Sequence, residues 1–317
     1  MRQRPIRYLQ VLLVVLFVSF VPRYANAQLS GFNVKGDMGL AAGTQAPPGI
    51  AYGFMLLNYN TGRINNKDGT QVNASGSVNV FGGAPLVSVV TKKKFLGANY
   101  GFMIVLPVLN SALETPRFVS NPSAGLGDLY VVPVQLGWHM KQADATVSYG
   151  LFAPTGRYTA GADNNTGFGM WGHELNLGTT VYSGEKKTWH VATNAALEFH
   201  STKRDSVQQV GNLLTLEGGV GRNFLHGLSK VGLIYYSQWK ISDDKLGPLP
   251  TLLVTGRNSS SALGPEVTFP IVPKKRGKLY AIVTARYEWE VYARTTTQGN
   301  AFVVGVFFPL KPIKLGH

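Results

Sequence analysis

The stretch TWHVATNAALEFHSTKRD, residues 188–205, alternates in character from one residue to the next. Trp189, Val191, Thr193, Ala195, Leu197 and Phe199 fall on one parity, and His190, Asn194, Glu198 and His200 on the other. Period-two alternation over a dozen residues specifies a β-strand whose two faces meet different surroundings. A soluble sheet and a membrane barrel both satisfy it, so the solvent of the apolar face decides the fold. The rest of the chain repeats the unit in about twelve segments: 50–60, 76–92, 97–108, 127–140, 143–152, 171–183, 187–200, 211–223, 228–241, 258–270, 277–292 and 299–309. Connections 61–75, 109–126, 153–170, 201–210, 242–257 and 293–298 are mostly long. Connections 93–96, 141–142, 184–186, 224–227 and 271–276 are short. Long–short alternation along an even number of antiparallel strands predicts an outer-membrane barrel, with external loops, periplasmic turns and both termini periplasmic.

The faces support lipid as the apolar solvent. In WGHELNLGTTVY, Trp171, Leu175, Leu177 and Val181 alternate with Glu174, Asn176 and Thr180. In LYAIVTARYEWEVYAR, Val283, Tyr287, Trp289 and Val291 alternate with Arg286, Glu288, Glu290 and Arg294. All five tryptophans, at 138, 171, 189, 239 and 289, stand near segment ends, as the aromatic girdles of such barrels require. Unpaired strand edges cannot face hydrocarbon, so the sheet is expected to close. The fold class is therefore all-β, an antiparallel transmembrane β-barrel of about 12 strands.

Residues 1–27 read as a cleavable secretory signal: Arg2, Arg4 and Arg7, an apolar run from Tyr8 to about Val21, then Ala25-Asn26-Ala27. Cleavage is expected after Ala27. Residues 28–49 form a separate N-terminal segment that could enter the lumen as a plug, ended by Pro47-Pro48-Gly49, and residues 50–317 form the barrel. The chain has no cysteine, which excludes disulfides and thiolate sites. The basic excess of 30 Lys and Arg over 16 Asp and Glu does not indicate a nucleic-acid partner. Four basic residues lie in the signal, and Lys92-Lys93-Lys94, Glu185-Lys186-Lys187 and Lys274-Lys275-Arg276 fall in proposed periplasmic turns, where they are solvated or meet anionic headgroups.

Three stretches carry a resemblance: GLGDLYVVPVQLGW (125–138), FAPTGRY (152–158) and GFGMWGHELNLGTTVY (167–182). In their order and spacing they resemble the MetA-pathway of phenol degradation family, whose members include SphA-like outer-membrane proteins. The similarity runs from about Pro48 to Phe308. It implies an outer-membrane barrel associated with passive uptake of small hydrophobic or aromatic compounds, and it transfers no binding residues. One departure is the C-terminus, where NAFVVGVFF is followed by PLKPIKLGH. An aromatic read by the barrel assembly machinery would have to be internal, at Phe307 or Phe308.

The candidate site is the inward, charged face: Glu174, His190, Glu198, His200, Glu217, Glu266, Arg286, Glu288, Glu290 and Arg294. These residues either pair across a filled interior or line a solute path. A structural or adhesive barrel without transport is the first alternative, and an outer-membrane lipid hydrolase the second. The hydrolase needs a His and a hydroxyl on one strand face. In His200-Ser201-Thr202 the adjacent Ser falls on the wrong parity and Thr202 would have to serve, His173-Glu174 has the same fault, and Asp243-Asp244 has no His in its loop. His190 and His200 share a face but stand roughly 33 Å apart on an extended strand, too far for a common metal. Catalytic residues, metals and cofactors are not expected. The expected partners are outer-membrane lipid, lipopolysaccharide, the barrel assembly machinery and the solute.

Overall fold

The computed structural model describes residues 30–72, 76–115, 118–120, 123–246, 256–273 and 278–314. The signal at 1–27 and the basic cluster at 274–276 lie outside the described residues. Twelve antiparallel strands form one ring. They are β1 (Gly49–Thr61), β2 (Ser77–Phe95), β3 (Ala98–Val105), β4 (Leu129–His139), β5 (Ala143–Ala153), β6 (Gly172–Ser183), β7 (Trp189–His200), β8 (Leu213–Phe224), β9 (Ser229–Lys240), β10 (Ser259–Ile271), β11 (Ala281–Arg294) and β12 (Asn300–Pro309). Each strand pairs with its sequence neighbours, and β1 pairs with β12 through Ala51↔Pro309 to Asn60↔Asn300, which closes the sheet. Closure removes the free edges that hydrocarbon forbids.

Hairpin order alone then gathers the long connections at one end, the loop end, and the short ones at the other, the turn end. The tightest turn is Leu96-Gly97, with φ of 51° and 80°, both left-handed as a two-residue hairpin turn requires. The extended strand therefore reaches Phe95, and Lys92, Lys93 and Lys94 lie on β2 rather than in the turn. The stretch 109–126, read as loop from its composition, contains a strand at Val108–Thr115 that pairs with Ser77–Gly83 of β2. Past the loop end, β2 is thus longer than the barrel wall needs.

The two faces differ as the alternation predicts. On β6, Gly172, Glu174, Asn176, Gly178 and Thr180 are buried while Leu175, Leu177 and Val181 are exposed on the outside. The tryptophans divide into two belts, Trp138 and Trp189 near the turn end and Trp171, Trp239 and Trp289 near the loop end. Trp138 spends its indole N–H on the carbonyl of Leu96, 3.0 Å away. Two of the sheet's register slips re-aim side chains. Pro133, which has no N–H to give a ladder, sits where β4 slips against β5 between Val131 and Val134. On β11, Val291 is an extra residue against Ser261 and Ala262 of β10.

Candidate functional site

The inward side chains of β6 to β11 do not face an empty lumen, because residues 31–45 run along them from the loop end to the turn end. At the loop end, Glu198 accepts the N–H groups of Phe32 (2.7 Å) and Asn33 (2.8 Å). The Asn33 amide donates to Glu174 at 3.0 Å. Lys35 donates to Glu290 (2.7 Å) and Ser260 (3.0 Å). Arg286 donates to the carbonyl of Gly36. A single 3-10 turn, Gly39–Ala41, then points the N–H of Leu40 at Glu266, 3.4 Å away. At the turn end Thr44 donates to Thr180 (3.0 Å) and Gln45 to Gln135 (3.1 Å). Gly49 then starts β1. The path corrects the expected topology: the described segment before β1 starts, at Ser30, at the loop end, so Ser30 and the C-terminal strand lie at opposite ends of the barrel.

Glycine is required at two of these steps. Gly36 and Gly39 have φ of 78° and 49°, and a Cβ on either would lie within 1.9 Å of a carboxylate oxygen, of Glu288 and Glu266 respectively. The segment therefore approaches the wall by its backbone, and lumen carboxylates take its N–H groups directly. Charge-assisted bonds of this kind are the stronger sort.

The structure gathers nine of the ten candidate residues around this segment. Glu174 also accepts the hydroxyl of Tyr130 and the amide of Asn176, each at 2.7 Å. Glu266 pairs with Arg286 at 3.1 Å. Glu290 takes four donors: Lys35, the hydroxyls of Tyr236 (2.6 Å) and Tyr59 (2.8 Å), and the N–H of Gly299 (2.6 Å). Glu217 is buried on β8, and His190 is buried near Leu40 at the turn end. Glu288 is buried beside Gly36 and has no hydrogen-bond partner among the described residues. His200 contacts Glu198 at the other end of β7 from His190. Arg294 is the exception. The extra Val291 reverses parity, so Ala293 turns inward and Arg294 is exposed, donating to the carbonyl of Lys67 in the β1–β2 loop at 2.8 Å.

The other half of the lumen is apolar. Directly paired residues share a face, so Arg286, which points inward, carries its partner Val303 inward. The same register follows through Val303↔Leu57, Gly305↔Met55 and Phe307↔Gly53, then Gly53↔Leu86, Leu86↔Val105 and Val105↔Tyr130. Met55, Leu57, Leu86, Val105, Val303 and Phe307 thus face the carboxylates across the lumen. Met55, Leu57, Val105 and Phe307 remain half-buried, so the segment does not cover them fully. This wall escapes period-two reading because the outward residues Phe54, Leu56 and Phe302 are apolar too. The loss of alternation over GFMLLNY is the signal that could have found it.

At the loop end the lumen closes on an aromatic cluster. The Phe32 ring stacks on Phe152 at 4.5 Å, meets Phe168 edge-on at 4.9 Å and lies 6.0 Å from His200. Met170, Val210 and Leu246 complete the cluster. Asp128 fastens the β5–β6 loop over it, accepting the N–H groups of Gly156 (2.9 Å) and Phe168 (2.6 Å). Away from the cluster, a polar cleft of about 550 Å³ opens beside Thr61, Asn79, Glu290 and Asn300.

Ser201 accepts the N–H of Trp171 at 2.9 Å on the face opposite His200. Among the described residues no cluster of three or more His, Asp or Glu could hold a metal ion.

An outer membrane channel from Pseudomonas putida F1 superposes with a TM-score of 0.72 at 12% identity, over 87% of this chain and 99% of that one. The beta domain of the Bordetella autotransporter BrkA gives 0.51 at 12% identity, over 83% and 100%. Likeness at that identity shows the fold alone, which is the outer-membrane β-barrel. Among curated proteins no sequence matches. The model of the MetA-pathway of phenol degradation family matches residues 61–305, well over half of the 317 residues, and the chain belongs to that family.

Proposed function

We propose that the protein is an outer-membrane channel for passive uptake of small hydrophobic or aromatic compounds, with residues 31–45 acting as a plug. The observation that carries the reading is the division of the lumen. One half binds the plug through carboxylates, and the other offers a continuous apolar strip from Phe307 and Met55 to Val105. A polar solute gains nothing from that strip, whereas each buried methylene of an apolar solute gains about 0.8 kcal/mol. No catalytic step belongs to this reading. The surrounding partners are outer-membrane lipid and lipopolysaccharide, and the barrel assembly machinery would read Phe307 or Phe308. The signal at 1–27 directs export.

The test is uptake of a labelled aromatic by cells lacking other porins. Expression of the wild type should raise uptake severalfold over empty cells, and Leu57→Asp, on the apolar strip, should abolish the gain while the barrel still assembles. Wild-type uptake equal to that of empty cells would sink the channel reading. It would leave the structural barrel, which the many bonds fastening the plug favour as the second reading. N-terminal sequencing of the assembled protein should begin at Gln28; Met1 at the first cycle would overturn the signal.

A further inference from the structure

We propose that the aromatic cluster at the loop end is a binding box for the ring of a single-ring aromatic solute, and that Phe32 occupies it as an internal stand-in. The choice of solute class rests on the uptake reading above. Phe32 sits in the box as a ligand does. It belongs to no strand, and its N–H is taken by Glu198 rather than by a sheet neighbour. Its ring has a parallel face contact with Phe152, an interplanar angle of 9°, and an edge contact with Phe168 at 72°. Stacked and edge-on neighbours together suit the quadrupole of an aromatic ring and give an aliphatic group no such advantage.

The walls are independent of the plug. Phe152 ends β5, Phe168 and Met170 come from the β5–β6 loop, Val210 from the β7–β8 loop and Leu246 from the β9–β10 loop. Withdrawal of Phe32 therefore removes none of these walls. The size of the box is that of one benzene ring. At its side stands His200, 6.0 Å from the Phe32 ring and in contact with Glu198. Tyr130 stacks on Phe152 at 4.2 Å and shares the inward face with Val105. A ring leaving the box thus meets the head of the apolar strip. Because Phe32 competes, a solute binds the wild type more weakly than the bare box, in proportion to the fraction of time that Phe32 is out.

The experiment titrates refolded protein with 4-fluorophenol, followed by its fluorine resonance, with cyclohexanol as the non-aromatic control. Phe32→Ala should bind 4-fluorophenol about tenfold or more tightly than the wild type. Phe32→Ala combined with Phe168→Ala should lose that gain, and cyclohexanol should compete poorly in all three. Equal affinity in wild type and Phe32→Ala would overturn the box, as would a gain that survives removal of Phe168. Cyclohexanol competing as well as the phenol would show a packing cavity only, and would overturn it too. The uptake reading stands or falls separately. Binding without transport removes the channel and leaves the box, while transport without binding removes the box and leaves the channel.

Discussion

Glu290 and Glu288 stand two residues apart on β11 with opposite situations. Glu290 collects Lys35, two tyrosine hydroxyls and a backbone N–H, and Glu288 collects none among the described residues. Removing one partner of a charged hydrogen bond costs roughly 1.5–3 kcal/mol. Glu290→Gln should therefore lower the melting temperature and raise conductance by loosening the plug, and Glu288→Gln should leave both unchanged or stabilise. A loss for Glu288→Gln equal to that for Glu290→Gln would show that hydrogen bonding does not order them. In the loops, burial against Tyr158 and Phe168 pushes the Lys203 ammonium down to about 8, with Asp128 and Asp244 opposing. Between that value and the ordinary 10.5 the folded amine is neutral while the unfolded one is charged, so Lys203 disfavours folding less as pH rises through about 8. Acylation at Lys203, followed by mass spectrometry, should be half-maximal near pH 8. A midpoint at the ordinary lysine value would contradict the burial.

At the scale of the strand, Leu177 is 63% exposed on the outer face of β6, and Asn194 is 1% exposed on the inner face of β7. Arginine at Leu177 should hinder assembly, at a cost of about 2–4 kcal/mol if the position lies at mid-bilayer. Asn194 donates to Asn176 at 3.0 Å, so arginine there breaks a packed contact and is no neutral comparison. Leu57, inward but half-buried, is the better one, and Leu57→Arg should assemble in the heat-modifiability assay while Leu177→Arg does not. Strand identity was legible in the sequence because charge and apolarity alternate along β6, β7 and β11. The carboxylate half of the lumen was legible for the same reason. The apolar half was not, because Met55 and Leu57 sit between outward Phe54 and Leu56, and only the register separates them. Arg294 turns outward against the alternation because one extra residue, Val291, reverses parity and leaves no mark in composition. Phe32 belongs to no periodic element, so no pattern could have placed its ring.

For the molecule as a whole, the absence of cysteine makes a topological test clean. A cysteine at Ser30 should react on intact cells with a maleimide that cannot cross the membrane, and one at Gly184, in the β6–β7 turn, should react only after lysis. Labelling of Gly184→Cys alone on intact cells would invert the barrel, and labelling of neither would withdraw Ser30 from the mouth.

The path of residues 31–45 has a consequence for connectivity. An even number of strands ordinarily returns a polypeptide to the side from which it started, but the plug adds a further, unpaired crossing. Ser30 and Ile313 are thus separated by the height of the barrel, and no short linker on either side could join them. A circular permutant that connects the two through a few residues would have to draw the N-terminal stretch out of the lumen. Such a permutant would leave the inward carboxylates of β6 to β11 without residues 31–45 against them.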